Sequence, residues 1–412
     1  MRRPAELAMR IGSATRPLPA VLVLGCAVVA SAALAADWPE FLGPGGRGVA
    51  AGPIRSSWSE REGIAWKHDL PGHGNSSPIV VGDLVVVTAC SGSRQDLLHV
   101  IACDVRSGAV RWQRTFWATG QTGCQGQTSV AAPTPASDGE RIVAFFSSSD
   151  VFSLDLAGRL LWQRNLAVER PQTRNDAGMG SSPRIVGDAV VVQIDNESDS
   201  FVTAIDLATG GERWTVPREK VCTWSSPVAV ERPDGPCVLL QNSRGLDLRR
   251  ADDGSLVWSW RGECDAIATT ACAEGVLYAP ASGLAALPLD GRHAAPAWRS
   301  ARLGCSIASP LVWGDSVACI GRTGVLGIGS RGDGAVRRQL RLAGEFWASP
   351  ILVGDTIVAV NTEGKTFLVS VAGEPRVVAT NELPGTFTAT PACADGCLYL
   401  RSDWNLWKIA AP

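Results

Sequence analysis

Tyrosine is scarce in this chain of 412 residues, with two copies, and only four histidines and four lysines occur. His68, His73, His99 and His293 form no H-x-x-x-H or H-E-x-x-H pair, so the usual helical zinc signature is missing. No CxxC and no adjacent cysteine pair occurs, which argues against a zinc ribbon or a thioredoxin-like motif. There is no G-x-S-x-G for a hydrolase and no D-x-[DN]-x-[DN]-G calcium loop; the acidic stretch Asp195-Asn196-Glu197 reads as a hairpin loop. Excess charge is absent too. Lys and Arg total 38 against 40 Asp and Glu, a formal charge of −2, which gives no electrostatic footprint for nucleic acid or an anionic membrane. Beyond residue 35 no run reaches the roughly 18 apolar residues of a membrane span.

What the chain does hold is turn-forming residues and tryptophan: 44 Gly, 25 Pro and 15 Trp, with 45% hydrophobic residues. That composition excludes disorder and coiled coil. Arg2, Arg3, Arg10 and Arg16 precede an apolar run ending in Ala33-Leu34-Ala35, the pattern of a signal peptide over residues 1–35. The alternative is lipid attachment at Cys26, within the weak lipobox Val23-Leu24-Gly25-Cys26. The expected localisation is periplasmic or secreted. Eleven cysteines then remain, an odd number in an oxidising compartment. Cys393 and Cys397 flank Ala394-Asp395-Gly396, which reads as a hairpin turn that they could bridge, while Cys237, Cys272 and Cys319 read as small buried hydrophobes.

An internal repeat sets the fold. Ser/Thr-Pro, a short gap, Gly-Asp or Asp-Gly and a β-branched run recur at Pro78, Pro135, Pro183, Pro227, Pro310, Pro350 and Pro391. A degenerate copy at Thr269-Thr270 makes eight, spaced 57, 48, 44, 43, 40, 40 and 41 residues apart. That is the length of four short antiparallel strands, so an all-β, single β-propeller of four-stranded blades is expected over residues 64–412. Eight blades is the reading; seven is the fallback, because the fifth copy has lost its proline. Ile64-Ala65-Trp66-Lys67 reads as an orphan outer strand that completes the last blade and removes an exposed edge. Residues 36–63 form an N-terminal lead-in.

A second signature, A-x-D-x-x-T-G-x-x-x-W, stands at Ala204–Trp214 and recurs around Trp112, Trp162 and Trp258. Trp66, Trp112, Trp162, Trp214 and Trp258 are expected to fill the wedges between diverging blades. This signature resembles the tryptophan-docking repeat of pyrroloquinoline-quinone (PQQ) propellers. The run Asp37-Trp38-Pro39-Glu40-Phe41-Leu42-Gly43-Pro44-Gly45-Gly46-Arg47-Gly48 is similar to the start of exported bacterial PQQ-binding-like repeat proteins. The resemblance implies the fold across nearly the whole chain. It implies either of two functions, since the repeat serves quinoprotein dehydrogenases and also scaffolds such as the lipoprotein of the outer-membrane barrel-assembly machinery. The dehydrogenases carry an adjacent-cysteine disulfide, a Glu/Asn/Asp calcium site and an Asp base. Here the adjacent pair is absent.

Residues ahead of each anchor are expected to ring the channel mouth. About three positions before the anchor stand Asn75, Ala132, Gly180, Trp224, Ile267, Ile307, Trp347 and Phe387-Thr388; five before stand His73, Val130, Gly178, Cys222, Asp265, Cys305, Glu345 and Thr386. From these, His73, Asn75, Cys222, Trp224, Asp265, Cys305, Glu345 and Trp347 form the candidate site. Trp224 and Trp347 would stack a flat ligand, and His73, Cys222 and Cys305 are soft enough for a metal. The plainer alternative is that the indoles cap the channel and the polar groups are loop residues. The expected function is an exported, non-catalytic scaffold binding an envelope protein, peptide or glycan, without a cofactor. The alternative is a PQQ-dependent oxidoreductase of alcohol or sugar dehydrogenase type, with PQQ and Ca2+.

Overall fold

Each anchor fixes where an inner strand begins. Proline locks φ and offers no N–H, so a ladder starts only beyond it. Inner strands open at Ile79, Ala136, Arg184, Val228, Ala271, Leu311, Ile351 and Ala392, one residue past each anchor. The computed structural model describes residues 37–174, 177–290 and 295–412. The signal-peptide reading and Cys26 lie outside the described residues. Each inner strand leads an antiparallel sheet, and eight such sheets form a propeller. In the first, Ile79–Val81, Leu84–Ser91, Leu97–Asp104 and Val110–Trp117 succeed one another from the channel outward. The second strand of that blade is buried almost throughout, while the outermost strand alternates between exposed and half-buried. Blades are stacked face to face, so the strands inside them are covered on both faces and read as continuous apolar runs.

The eighth blade joins the two ends of the chain. Ala392–Ala394, Cys397–Arg401 and Asn405–Ile409 are completed by Ile64–Asp69, paired antiparallel through Trp66↔Lys408 and His68↔Leu406. The seven-blade fallback is overturned, because the fifth copy builds a full blade from Ala271–Ala273, Val276–Ala281, Gly283–Pro288 and Trp298–Ser300. Thr270 stands in the proline's place there. Its N–H and its hydroxyl both donate to Gln241 Oε1 of the fourth blade, at 3.0 and 2.6 Å.

The anchor hydroxyls tie blade to blade. The backbone N–H of Ser77 donates to Thr134 Oγ1 at 2.9 Å, Thr134 N–H to Ser182 Oγ at 3.0 Å, and Ser182 N–H to Ser226 Oγ at 2.9 Å. Ser226 N–H reaches Thr269 Oγ1 at 3.0 Å, Thr269 N–H reaches Ser309 Oγ at 3.1 Å, and Ser309 N–H reaches Ser349 Oγ at 2.9 Å. Ser349 N–H donates to Thr390 Oγ1 at 3.0 Å, and Thr390 N–H returns to Ser77 Oγ at 3.1 Å. Eight hydrogen bonds thus close a circle around the channel. All eight residues are buried, so each N–H needs this partner. A hydroxyl is the repeat's requirement at this position.

A second set of contacts joins the blades further out. The indole N–H groups of Trp66, Trp112, Trp162, Trp214 and Trp258 donate to Val105, Leu156, Leu207, Ala251 and Leu289 carbonyls of the next blade at 2.8–3.1 Å. Trp298 does the same to Arg331 O at 3.0 Å. The ring of Trp214 lies against Gly254, where a Cβ would come within 2.7 Å of it, at a φ of +71°. Gly108, Gly158, Gly210 and Gly334 meet Trp66, Trp112, Trp162 and Trp298 in the same way. That close approach is why the signature needs its glycine. At the two remaining junctions Arg338, paired with Glu374 at 3.0 Å, and Ala379 take the tryptophan's place.

The lead-in is laid across the ring. Trp38 exchanges both backbone hydrogen bonds with Val80, and Ser137 N–H donates to Pro39 O at 2.9 Å. Glu40 pairs with the buried Arg184 at 3.0 Å. Val49–Ala50 then adds a parallel strand to Ile351–Val353 of the seventh blade. Trp58, buried, donates its backbone N–H to Asn381 Oδ1 of the same blade at 2.9 Å.

Removing Trp214 leaves a void against Gly254, and Trp214→Ala is expected to cost about 3–5 kcal/mol in chemical denaturation. Ser309→Ala strands the buried Thr269 N–H and should cost about 1–3 kcal/mol, whereas Ser309→Thr, which keeps the oxygen, should recover most of it.

Candidate functional site

The channel interior follows from a period of two. In each repeat the anchor Ser/Thr and the residue two before it face the axis, and the residue between them, such as Ser225, Ala308 or Ala348, packs outward. All eight anchor hydroxyls line a cavity of about 200 Å³ together with Asn75, Ala132, Gly180, Trp224, Ile267, Ile307, Trp347 and Thr388. Phe41 of the lead-in adds an aromatic wall. Gln125, Gln127, Thr128 and Ala177 reach in from the long connections after the first and second blades. Gln125 and Gln127 are exposed, which places the cavity's opening at these loops.

The structure brings three of the candidate residues into this cavity: Asn75, Trp224 and Trp347. Asn75 Nδ2 donates to Thr388 Oγ1 at 2.7 Å, and its Oδ1 is buried with no partner. Trp224 Nε1 donates to Gly178 O at 2.8 Å, and Trp347 Nε1 donates to Glu345 Oε1 at 2.7 Å. Both rings are therefore held by their polar edges and offer apolar surface.

His73, Cys222, Asp265, Cys305 and Glu345 do not line the cavity. Alternation was extended two residues too far, into chain that has not yet become a strand, so these positions fall behind the wall. Glu345 braces Trp347; the indole N–H and the Arg322 guanidinium, 2.5 Å from Oε1, hold its carboxyl below the usual range. Asp265 Oδ1 accepts from the backbone N–H groups of Ile267 and Ala268 at 2.7 and 2.9 Å, and burial raises its pKa. His73 is half-buried beside Trp404, and burial lowers its pKa. Cys222 is half-buried next to Thr223, whose backbone bridges Asp195.

Cys305 forms a disulfide with Cys319. This corrects both its reading as a soft ligand and the reading of Cys319 as a lone buried hydrophobe. Cys393 and Cys397 are not bridged; Cys397 faces Ala394 and Cys393 faces Leu398 across the hairpin, which puts the two side chains on opposite faces of the sheet. Among the described residues no three His, Cys, Asp or Glu side chains come together to hold a metal.

Two buried groups escaped the sequence. Asp195 begins the expected hairpin loop, yet its side chain is fully buried and its Oδ1 accepts from Arg218 Nε at 2.7 Å. Gln193 Nε2 also donates to it, at 2.8 Å, and burial pushes the carboxyl's pKa up. Arg401, buried in the eighth blade, donates to Ser76 O at 2.9 Å, and burial lowers its pKa to about 9. Neither lines the cavity.

A family profile described as outer membrane protein assembly factor BamB matches residues 57–220 and 198–410. The chain belongs to this family of PQQ-like repeat propellers. No curated protein matches it in sequence. The structure of BamB from Moraxella catarrhalis superposes with a TM-score of 0.61 at 18% identity, covering 84% of this chain and 96% of that one. The quinohemoprotein alcohol dehydrogenase of Comamonas testosteroni gives 0.70 at 13% identity over 90% and 80%. A europium-containing methanol dehydrogenase gives 0.63 at 12% over 89% of each chain. At such identities the likeness is one of fold.

PQQ is a flat tricarboxylate, so a site for it needs groups that balance its charge. Among the described residues the lining of this BamB-family chain's cavity has no Lys, Arg, His, Asp or Glu, so those residues balance none of the three carboxylates and offer a cation only neutral oxygens. The residues do not fit the group.

Trp224 is half-buried and one polar edge is all it fixes. Trp224→Ala is expected to shift stability by no more than about 1.5 kcal/mol, well short of Trp214→Ala; equal losses in denaturation would contradict its position at the cavity.

Proposed function

We propose that this BamB-family chain is an exported, non-catalytic scaffold of the cell envelope that binds a protein, peptide or glycan at its rim and channel mouth. The observation that carries the reading is a channel mouth with intact blades around it and, among the described residues, no charged side chain in its lining. An oxidoreductase needs a base, a cofactor anchor or a metal set at that place, and the described lining residues offer hydroxyls, amides and apolar groups. The family profile supports the same reading, since it is that of an outer membrane assembly factor. The arginine-rich leader and its A-x-A motif support export. No described helix is long and apolar enough to cross a membrane.

A PQQ-dependent oxidoreductase is the second reading, favoured by the likeness to the alcohol dehydrogenase fold. Titration of the purified protein with PQQ, with and without Ca2+, separates the two. The expected result is unchanged tryptophan emission and melting temperature; saturable quenching with a stabilised fold would establish the oxidoreductase reading instead. A photo-crosslinker at Gln127 on the rim should capture an envelope partner that the same group at Gly187, in the tight turn between Val186 and Ala189, does not.

A further inference from the structure

The cavity's chemistry narrows what it takes. We infer that the channel binds a neutral, polyhydroxylated ring of monosaccharide size, with Trp224 and Trp347 against its carbon faces. This deepens the non-catalytic reading by naming a ligand class for the channel, and a partner on the rim does not depend on it.

Size comes first. About 200 Å³ lies below the roughly 300–1,000 Å³ of sites for drug-sized molecules, so one ring fits and a chain of rings does not. Charge comes second. A carboxylate, phosphate or amine would meet a lining that is uncharged among the described residues and leave its charge unbalanced.

Hydrogen bonding decides the class. Each anchor oxygen has accepted the N–H of the neighbouring blade, and among the described residues none of the eight hydroxyls donates to a protein acceptor. A circle of O–H donors therefore faces the cavity. An apolar side chain or an aliphatic ligand would leave those donors unmet. Opposite in kind stand Gln125 and Gln127, exposed at the opening, whose amide oxygens accept. The occupant must accept from several hydroxyls and also donate to an amide oxygen. Alcohol groups do both.

The two indoles supply the rest. Their N–H groups are spent on Gly178 O and Glu345 Oε1, which fixes the rings; the Arg322 guanidinium lies over Trp347, 5.9 Å from its ring centroid, so Trp347 presents its other face and Trp224 its ring as the apolar plates. The C–H faces of a sugar ring are apolar while its rim carries hydroxyls, and a site with apolar plates and a polar circle matches that division.

The test uses the purified protein and calorimetric titration with D-glucose, D-galactose, N-acetylglucosamine and myo-inositol. D-glucuronate and glucose 6-phosphate serve as charged counterparts. At least one neutral compound should bind saturably, with a Kd of about 1 mM or tighter, and more tightly than its charged counterpart. Trp347→Phe and Trp224→Ala should each weaken it roughly tenfold, whereas Trp117→Ala, at an exposed position on the outer strand, should not. No neutral compound binding, preferential binding of the charged forms, or binding indifferent to both tryptophans overturns the proposal. Rim cross-linking that persists without sugar binding removes this proposal alone. Response to PQQ with no sugar binding removes both.

Discussion

Eight backbone N–H groups around the channel have no strand to pair with, because a proline, or Thr270 once, follows each of them and the ladder begins one residue later. The structure meets all eight with hydroxyls from neighbouring blades, and the last returns to the first. Each bond alone is a modest contribution of roughly 0.5–1.5 kcal/mol. Their arrangement matters more than their sum, since opening one blade strands a buried donor in its neighbour. The same hydroxyls, having accepted, line the axial cavity. Closure of the ring and the chemistry of the cavity are thus one feature seen from two sides.

Further out, indole and glycine take over. Six junctions carry a tryptophan clamped on a carbonyl of the next blade. The junctions without one are those where Arg338 and Ala379 stand. At the second of them Trp58 of the lead-in is buried in the cluster against which Ala379 packs, and Val49–Ala50 extends the same blade inward. The lead-in therefore acts as part of the propeller, replacing from outside the repeat what that blade has lost.

The fold was legible because its devices are local: a hydroxyl and a proline in sequence, a glycine four residues before a tryptophan, an orphan strand ahead of the first repeat. Trp298 could have been found as well, since Asp290 precedes it by the same eight residues that separate Asp206 from Trp214; what hid it was Ala294 at the glycine's place. The site was legible only as far as the alternation holds. Residues three before each anchor lie on chain already committed to the strand's direction, whereas His73, Cys222, Asp265, Cys305 and Glu345 sit beyond it, where loop geometry decides. The partners of Asp195 and of Cys305 were invisible because Arg218 and Cys319 reach them only across the blade's fold.

The ring of hydroxyls is the claim on which the rest stands, and native-state hydrogen exchange reads it directly. The amides of Ser77, Thr134, Ser182, Ser226, Thr269, Ser309, Ser349 and Thr390 precede regular strands, where loop amides ordinarily exchange by local opening. The account predicts that all eight exchange only with global unfolding, as slowly as the central-strand amides of Val87 and Val192. Exchange of these amides at loop rates, in whole or in one arc of the ring, would contradict it.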